Sequence, residues 1–180
     1  MLHCTLGKGK DRMLTPQLLQ AILDDYDLSP TGIHGISHWA RVLENGRKLA
    51  EASGGSLAVV SLFAVFHDSR RVNDGTDYNH GKRGGDYAAS LRGRLFEVTD
   101  AEFDDLLAAC AGHTGGKTLA NLNIQICWDS DRLDLLRVGT TPKPEKLCTP
   151  AARQPEMLAW ANDRAQRRMV PELVQTEWGL

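Results

Sequence analysis

A chain of 180 residues, 42% of them apolar and 24% charged, is long enough to bury one sizeable core. Its net charge of −2 arises from interspersed opposite signs, which gives no support to nucleic-acid or anionic-membrane binding. Four scattered cysteines, Cys4, Cys110, Cys127 and Cys148, lack any C-x-x-C spacing and read as reduced thiols, with Cys110 and Cys127 as small core residues.

The opening stretch MLHCTLGKGKDRML has no apolar run of signal-peptide length, and the longest uncharged apolar run, at 57–66, is too short to span a bilayer. The expected location is the cytoplasm. The expected organisation is one domain over 1–180, with a motif-bearing core at about 34–139 and a helical extension at about 150–180.

In chain order, Thr15 and Pro16 form an N-cap and first-turn pair, after which Leu18, Leu19, Ile22 and Leu23 share a helical face. A second helix is expected over 38–53, stopped by Ser53-Gly54-Gly55. A third covers 57–68 and is apolar on nearly every side, which implies a central position. A fourth is expected over 84–94. Thr99 with Glu102 makes a capping box that opens a fifth, reaching about 113. A sixth runs through 124–138, and one more follows the Pro-containing loop at 141–150. The predicted fold is therefore all-α, a compact bundle of about six to seven helices.

Several residues with metal-binding chemistry fall at helix ends. His38 opens the second helix, His67 and Asp68 close the third, His80 sits in the loop entering the fourth, and His113 ends the fifth. Asp131 lies within the sixth. Helix ends and one helix middle can converge in a bundle core, and imidazoles mixed with carboxylates suit Mn, Fe, Ni, Co or Zn. A cation there would also pair carboxylates that are costly to bury alone. Singly, a histidine at a helix end is more often a cap or a satisfied core residue than a ligand. Gly115-Gly116-Lys117-Thr118 imitates the end of a phosphate-binding loop, but Ala111 stands where that motif needs glycine.

The order of three motifs, H-W-A-R-V at 38–42, F-H-D at 66–68 and D-S-D-R-L-D at 129–134, resembles the HD superfamily of metal-dependent phosphohydrolases. The resemblance implies an HD-domain-like bundle with metal ligands His38, His67, Asp68 and Asp131. It places His34 behind the ligands or in solvent, and it makes His80 and His113 candidates for a second ion. It further implies hydrolysis of a small phosphorylated molecule, possible nucleotides included, by a metal-activated hydroxide, with one or two divalent transition metals as cofactor. Asp68 would hold the ion, or bridge two. Arg70 and Arg71 are the catalytic and substrate-clamping candidates, with Arg83 and Lys117 as further substrate-binding residues. Two alternatives stay open, a di-iron oxygenase and a non-catalytic module that senses a nucleotide. The Glu-Asp pair of alarmone hydrolases and the G-Y-P signature of cyclic-dinucleotide enzymes are absent.

Overall fold

The computed structural model describes residues 13–180; His3 and Cys4 lie outside the described residues. Eight α-helices follow one another: α1 Pro16–Asp24, α2 Ile36–Ser53, α3 Leu57–Phe66, α4 His80–Leu91, α5 Asp100–Gly112, α6 Leu122–Arg132, α7 Pro155–Gln166 and the single turn α8 Leu173–Thr176. Two 3-10 turns, Leu135–Val138 and Pro144–Lys146, link α6 to α7. Among the described residues there is no strand, only an isolated bridge between Arg92 and Phe96. The fold is all-α, and among the described residues no helix is long and apolar enough to cross a membrane.

Local chemistry explains most boundaries. Thr15 Oγ1 accepts from the Leu18 amide at 3.2 Å with Pro16 as the first helical residue. Ser56 caps α3, and the capping box of Thr99 and Glu102 is formed at the start of α5. Helix α3 is the central element, with every residue from Val59 to Phe66 buried, which matches its unbroken apolar sequence. Trp39, Trp128 and Trp178 are buried, as are Cys110, Cys127 and Cys148.

Two boundaries depart from expectation. Helix α4 begins at His80 rather than at 84, so His80 is its first residue and not part of the preceding loop. Its glycines have low helix propensity, but packing requires them: a Cβ on Gly81 would collide with the Cys110 carbonyl oxygen, and one on Gly84 with the Phe66 carbonyl oxygen. The helical stretch expected over 124–138 divides, with α6 ending at Arg132 and a 3-10 turn following.

The three aspartates of D-S-D-R-L-D separate in function at this point. Residues two apart on a helix face opposite sides. Asp129 accordingly turns away from Asp131 and accepts from the amides of Cys148 and Thr149, both at 2.7 Å, and from Thr149 Oγ1 at 2.8 Å. These bonds hold the 147–149 segment against α6.

Candidate metal centre

The break between α3 and the following turn brings the first two candidate ligands inward. His67 is the C-cap of α3; its ring stacks on Phe63 with centroids 4.8 Å apart, and its Nδ1 donates to the Phe63 carbonyl at 3.0 Å. Asp68 follows in a tight turn closed by Ser69, whose amide and hydroxyl both donate to the Phe66 carbonyl, at 3.1 and 2.9 Å. The apolar helix thus delivers a histidine and a carboxylate, both buried, to the middle of the bundle.

Three other histidines reach the same point by different routes. His38, in the first turn of α2, places Nε2 at 3.1 Å from His67 Nε2. His80, at the start of α4, and His113, at the end of α5, bring their Nε2 atoms to 2.9 Å from each other. The close packing of Gly81 on Cys110 and His113 sets this last approach.

Asp68 lies between the two pairs, and its two oxygens divide them. Oδ2 is 3.5 Å from His38 Nε2 and 3.6 Å from His67 Nε2. Oδ1 is 3.1 Å from His80 Nε2 and 3.7 Å from His113 Nε2. Asp131 Oδ1 closes the first side at 3.5 Å from His38 Nε2 and 3.8 Å from His67 Nε2.

The donor set fits a cation. In each of the four rings Nδ1 faces an acceptor: Asp134 Oδ2 for His38, and the carbonyls of Phe63, Asp77 and Cys110 for His67, His80 and His113. Those acceptors fix the proton on Nδ1 and leave the Nε2 lone pairs turned toward one another. Atoms that share one ion at about 2.1 Å lie roughly 3.0–3.5 Å apart, close to the separations found here. Donors from His38, His67 and Asp68, and separately from Asp68, His80 and His113, fall within 4.8 Å of each other.

The protonation states agree with this arrangement. Burial pushes His67 down to about 3, so its ring is neutral at ordinary pH. Burial alone would raise Asp68, but the surrounding imidazoles, His67 first and then His113, His34 and His38, hold it well below the usual carboxylate range. Asp131 is likewise lowered against its burial by His67, Arg137, His113 and His38. His113 runs the other way: it is raised, burial being outweighed by the nearby carboxylates of Asp68 and Asp131.

The arginine and lysine candidates separate sharply. Arg71 is buried, and its Nη1 lies 3.1 Å from His80 Nε2 and 3.5 Å from Asp68 Oδ1. Arg70 leaves the centre: it donates to the Asp25 carbonyl and packs over the Tyr87 ring at 5.2 Å. Arg83 pairs with Asp77 at 2.7 Å and donates to the Tyr78 and Arg70 carbonyls. Lys117 is exposed on the loop between α5 and α6, and its carbonyl accepts from Arg132 at 2.6 Å. The structure therefore does not bring Arg70, Arg83 or Lys117 to the cluster, because consecutive residues past a helix end point apart and each of the two arginines meets a nearer acceptor.

Three contributors, Arg41, Asp134 and Arg137, are missing from the sequence reading, and His34 takes the first of its two expected places, behind the candidate ligands. His34 is buried rather than solvent-exposed and donates from Nδ1 to Asp68 Oδ2 at 2.7 Å. Asp134 accepts from His38 Nδ1 at 2.7 Å and from Arg41 Nε and Nη2 at 2.7 and 3.0 Å. Arg137 donates to the Ile33 carbonyl at 2.9 Å, which pins the loop carrying His34, and lies 4.0 Å from Asp131 Oδ1. Arg41 and Asp134 stood inside the motifs H-W-A-R-V and D-S-D-R-L-D, and their spacing from His38 and Asp131 was the available signal.

Asp134 acts through His38, fixing its ring and keeping the proton on Nδ1. Asp134→Asn is expected to weaken cation affinity by about 10- to 100-fold while leaving the helical circular dichroism unchanged. Calorimetric titration with Mn(II) checks this, and unaltered affinity would remove the positioning role.

No protein-family model matches the chain, and no curated protein does. Among solved structures, the chain is similar to a predicted HD superfamily hydrolase from an uncultured Thermotogales bacterium, with a TM-score of 0.60 and 27% identity over 84% of this chain and 87% of that one. The resemblance carried by three short motifs thus extends to the path of most of the chain.

Proposed function

We propose that the protein is a metal-dependent hydrolase acting on a phosphate ester or anhydride of a small molecule. The observation that carries this reading is the convergence of four imidazole Nε2 atoms on the two oxygens of Asp68, with Asp131 closing one side. His38, His67, Asp68 and Asp131 would hold a transition metal ion. When bound, such an ion supplies Lewis acidity toward a phosphoryl oxygen and a water deprotonated near neutral pH.

The chain's own residues do the remaining work. Asp134 and the Phe63 carbonyl orient His38 and His67. His34 holds Asp68 by a bond to Oδ2. Arg71 presents a fixed positive charge at the centre, which would attract an arriving phosphate. The similarity to a predicted HD superfamily hydrolase supports the reaction class.

A second reading, C–H oxidation at two irons, is favoured by the Asp68, His80 and His113 group, which could hold a second ion. Elemental analysis of the purified protein, combined with phosphate release from nucleotides and sugar phosphates with and without chelator, separates the readings. The expected result is a bound transition metal and chelator-sensitive phosphate release. Two irons, oxygen uptake and no phosphate release would move the assignment to oxidation. A protein that binds no metal would sink both.

A further inference from the structure

Resting on the reading of this centre as a metal site, we propose that the Arg71 guanidinium and a second cation compete for one place. The chain then holds one ion firmly, on the side of His38, His67 and Asp131, and takes a second only when Arg71 is displaced.

Each side of Asp68 offers a pair of imidazole donors, and the two sides differ in their neighbours. On the Oδ1 side, His80 and His113 offer a pair of Nε2 atoms as close as those of His38 and His67 on the Oδ2 side. The Oδ1 side alone contains a guanidinium nitrogen within 3.5 Å of both the shared carboxylate and an imidazole lone pair. On the other side the nearest guanidinium, that of Arg137, stands off at 4.0 Å from Asp131.

Arg71 is anchored there. Its Nε donates to the Asn73 carbonyl at 3.2 Å and its Nη2 to the Gly75 carbonyl at 2.6 Å. Its amide donates to the Asp68 carbonyl at 3.3 Å, so its backbone is tied to the residue whose carboxylate it faces. Nη1 then supplies what an ion would supply, a donor for the His80 lone pair and a positive charge for Asp68 Oδ1.

The two occupants compete for one lone pair and repel each other by charge. A cation on Asp68 Oδ1, His80 Nε2 and His113 Nε2 would sit about 2.1 Å from each. A guanidinium nitrogen 3.1 Å from His80 Nε2 and 3.5 Å from Asp68 Oδ1 then lies within about 5 Å of the ion and holds the same His80 lone pair, and like charges repel at such distances in a buried site.

Equilibrium dialysis and calorimetry with Mn(II) or Co(II) on the full chain and on Arg71→Met test this. The unaltered chain is expected to bind one ion, and Arg71→Met two, with the second ion held at least about tenfold more tightly than in the unaltered chain. Adding His113→Ala to Arg71→Met should return the count to one. Should Arg71→Met fail to fold, His113→Ala alone decides: the competition expects one ion before and after that change, and a fall from two to one overturns it. Two ions of comparable affinity in the unaltered chain, or a single ion in folded Arg71→Met, also overturns it while leaving the metal centre standing. A chain that binds no ion in any form removes the metal reading and the competition together.

Discussion

Replacing His67 by alanine is expected to abolish firm metal binding and to lower hydrolysis by at least about a thousandfold. His67 is the proposed ligand with the fewest substitutes. It is fully buried, its tautomer is set by the Phe63 carbonyl, and its Nε2 lies within 3.1 to 3.8 Å of donors on His38, Asp68 and Asp131. Removing the ring leaves those donors facing a gap that the neighbouring helices cannot fill without shifting. Elemental analysis beside a phosphate-release assay, with circular dichroism to show that the bundle persists, makes the measurement. Full activity and an unchanged metal content in His67→Ala would end the proposed function.

The metal-free protein is expected to lose stability in two stages as pH falls. Burial lowers His67 from its ordinary 6.5 to about 3. Between those values the unfolded chain takes up a proton that the native chain refuses. Stability therefore falls by about 1.4 kcal/mol for each pH unit removed. His113 is shifted the other way, so its contribution is complete below 6.5 and leaves that slope unaltered. Below the ordinary carboxylate value of 3.8, Asp68, Asp131 and Asp134 join, because their native forms stay charged while the unfolded chain protonates. Urea midpoints of chelator-treated protein from about pH 6 down to 4 should fall steadily toward acid, and His67→Gln should flatten the trend. A flat profile in the unaltered protein would contradict the neutral burial of His67.

The helices that sequence patterns identified well are those whose signals are local. Thr15 with Pro16 and Thr99 with Glu102 each act within one turn, and the bonds they imply are formed. Helix α4 was misplaced because its signal is not local. Gly81, Gly84 and Gly85 weaken a helix by themselves and are explained only by the backbone of Phe66 and Cys110 and the side chain of Leu107 lying against them.

The same distinction divides the candidate site. Residue types, their order along the chain and their places at helix ends named His38, His67, Asp68, His80, His113 and Asp131, since motif spacing and helical period are written in the sequence. Their convergence on one carboxylate was decided by helix crossings between segments far apart in the chain. His38 and Asp134, 96 residues apart, meet only because α2 packs along α6. The neighbours Arg70 and Arg71 show the limit most plainly. The sequence by itself determined that two guanidiniums follow the doublet; the tertiary structure alone decided that Arg70 turns out to Asp25 and Tyr87 while Arg71 turns in to His80 and Asp68. The physical reason is that acceptors for a long charged side chain come from whichever elements the fold places beside it, and no pattern within a few residues records them.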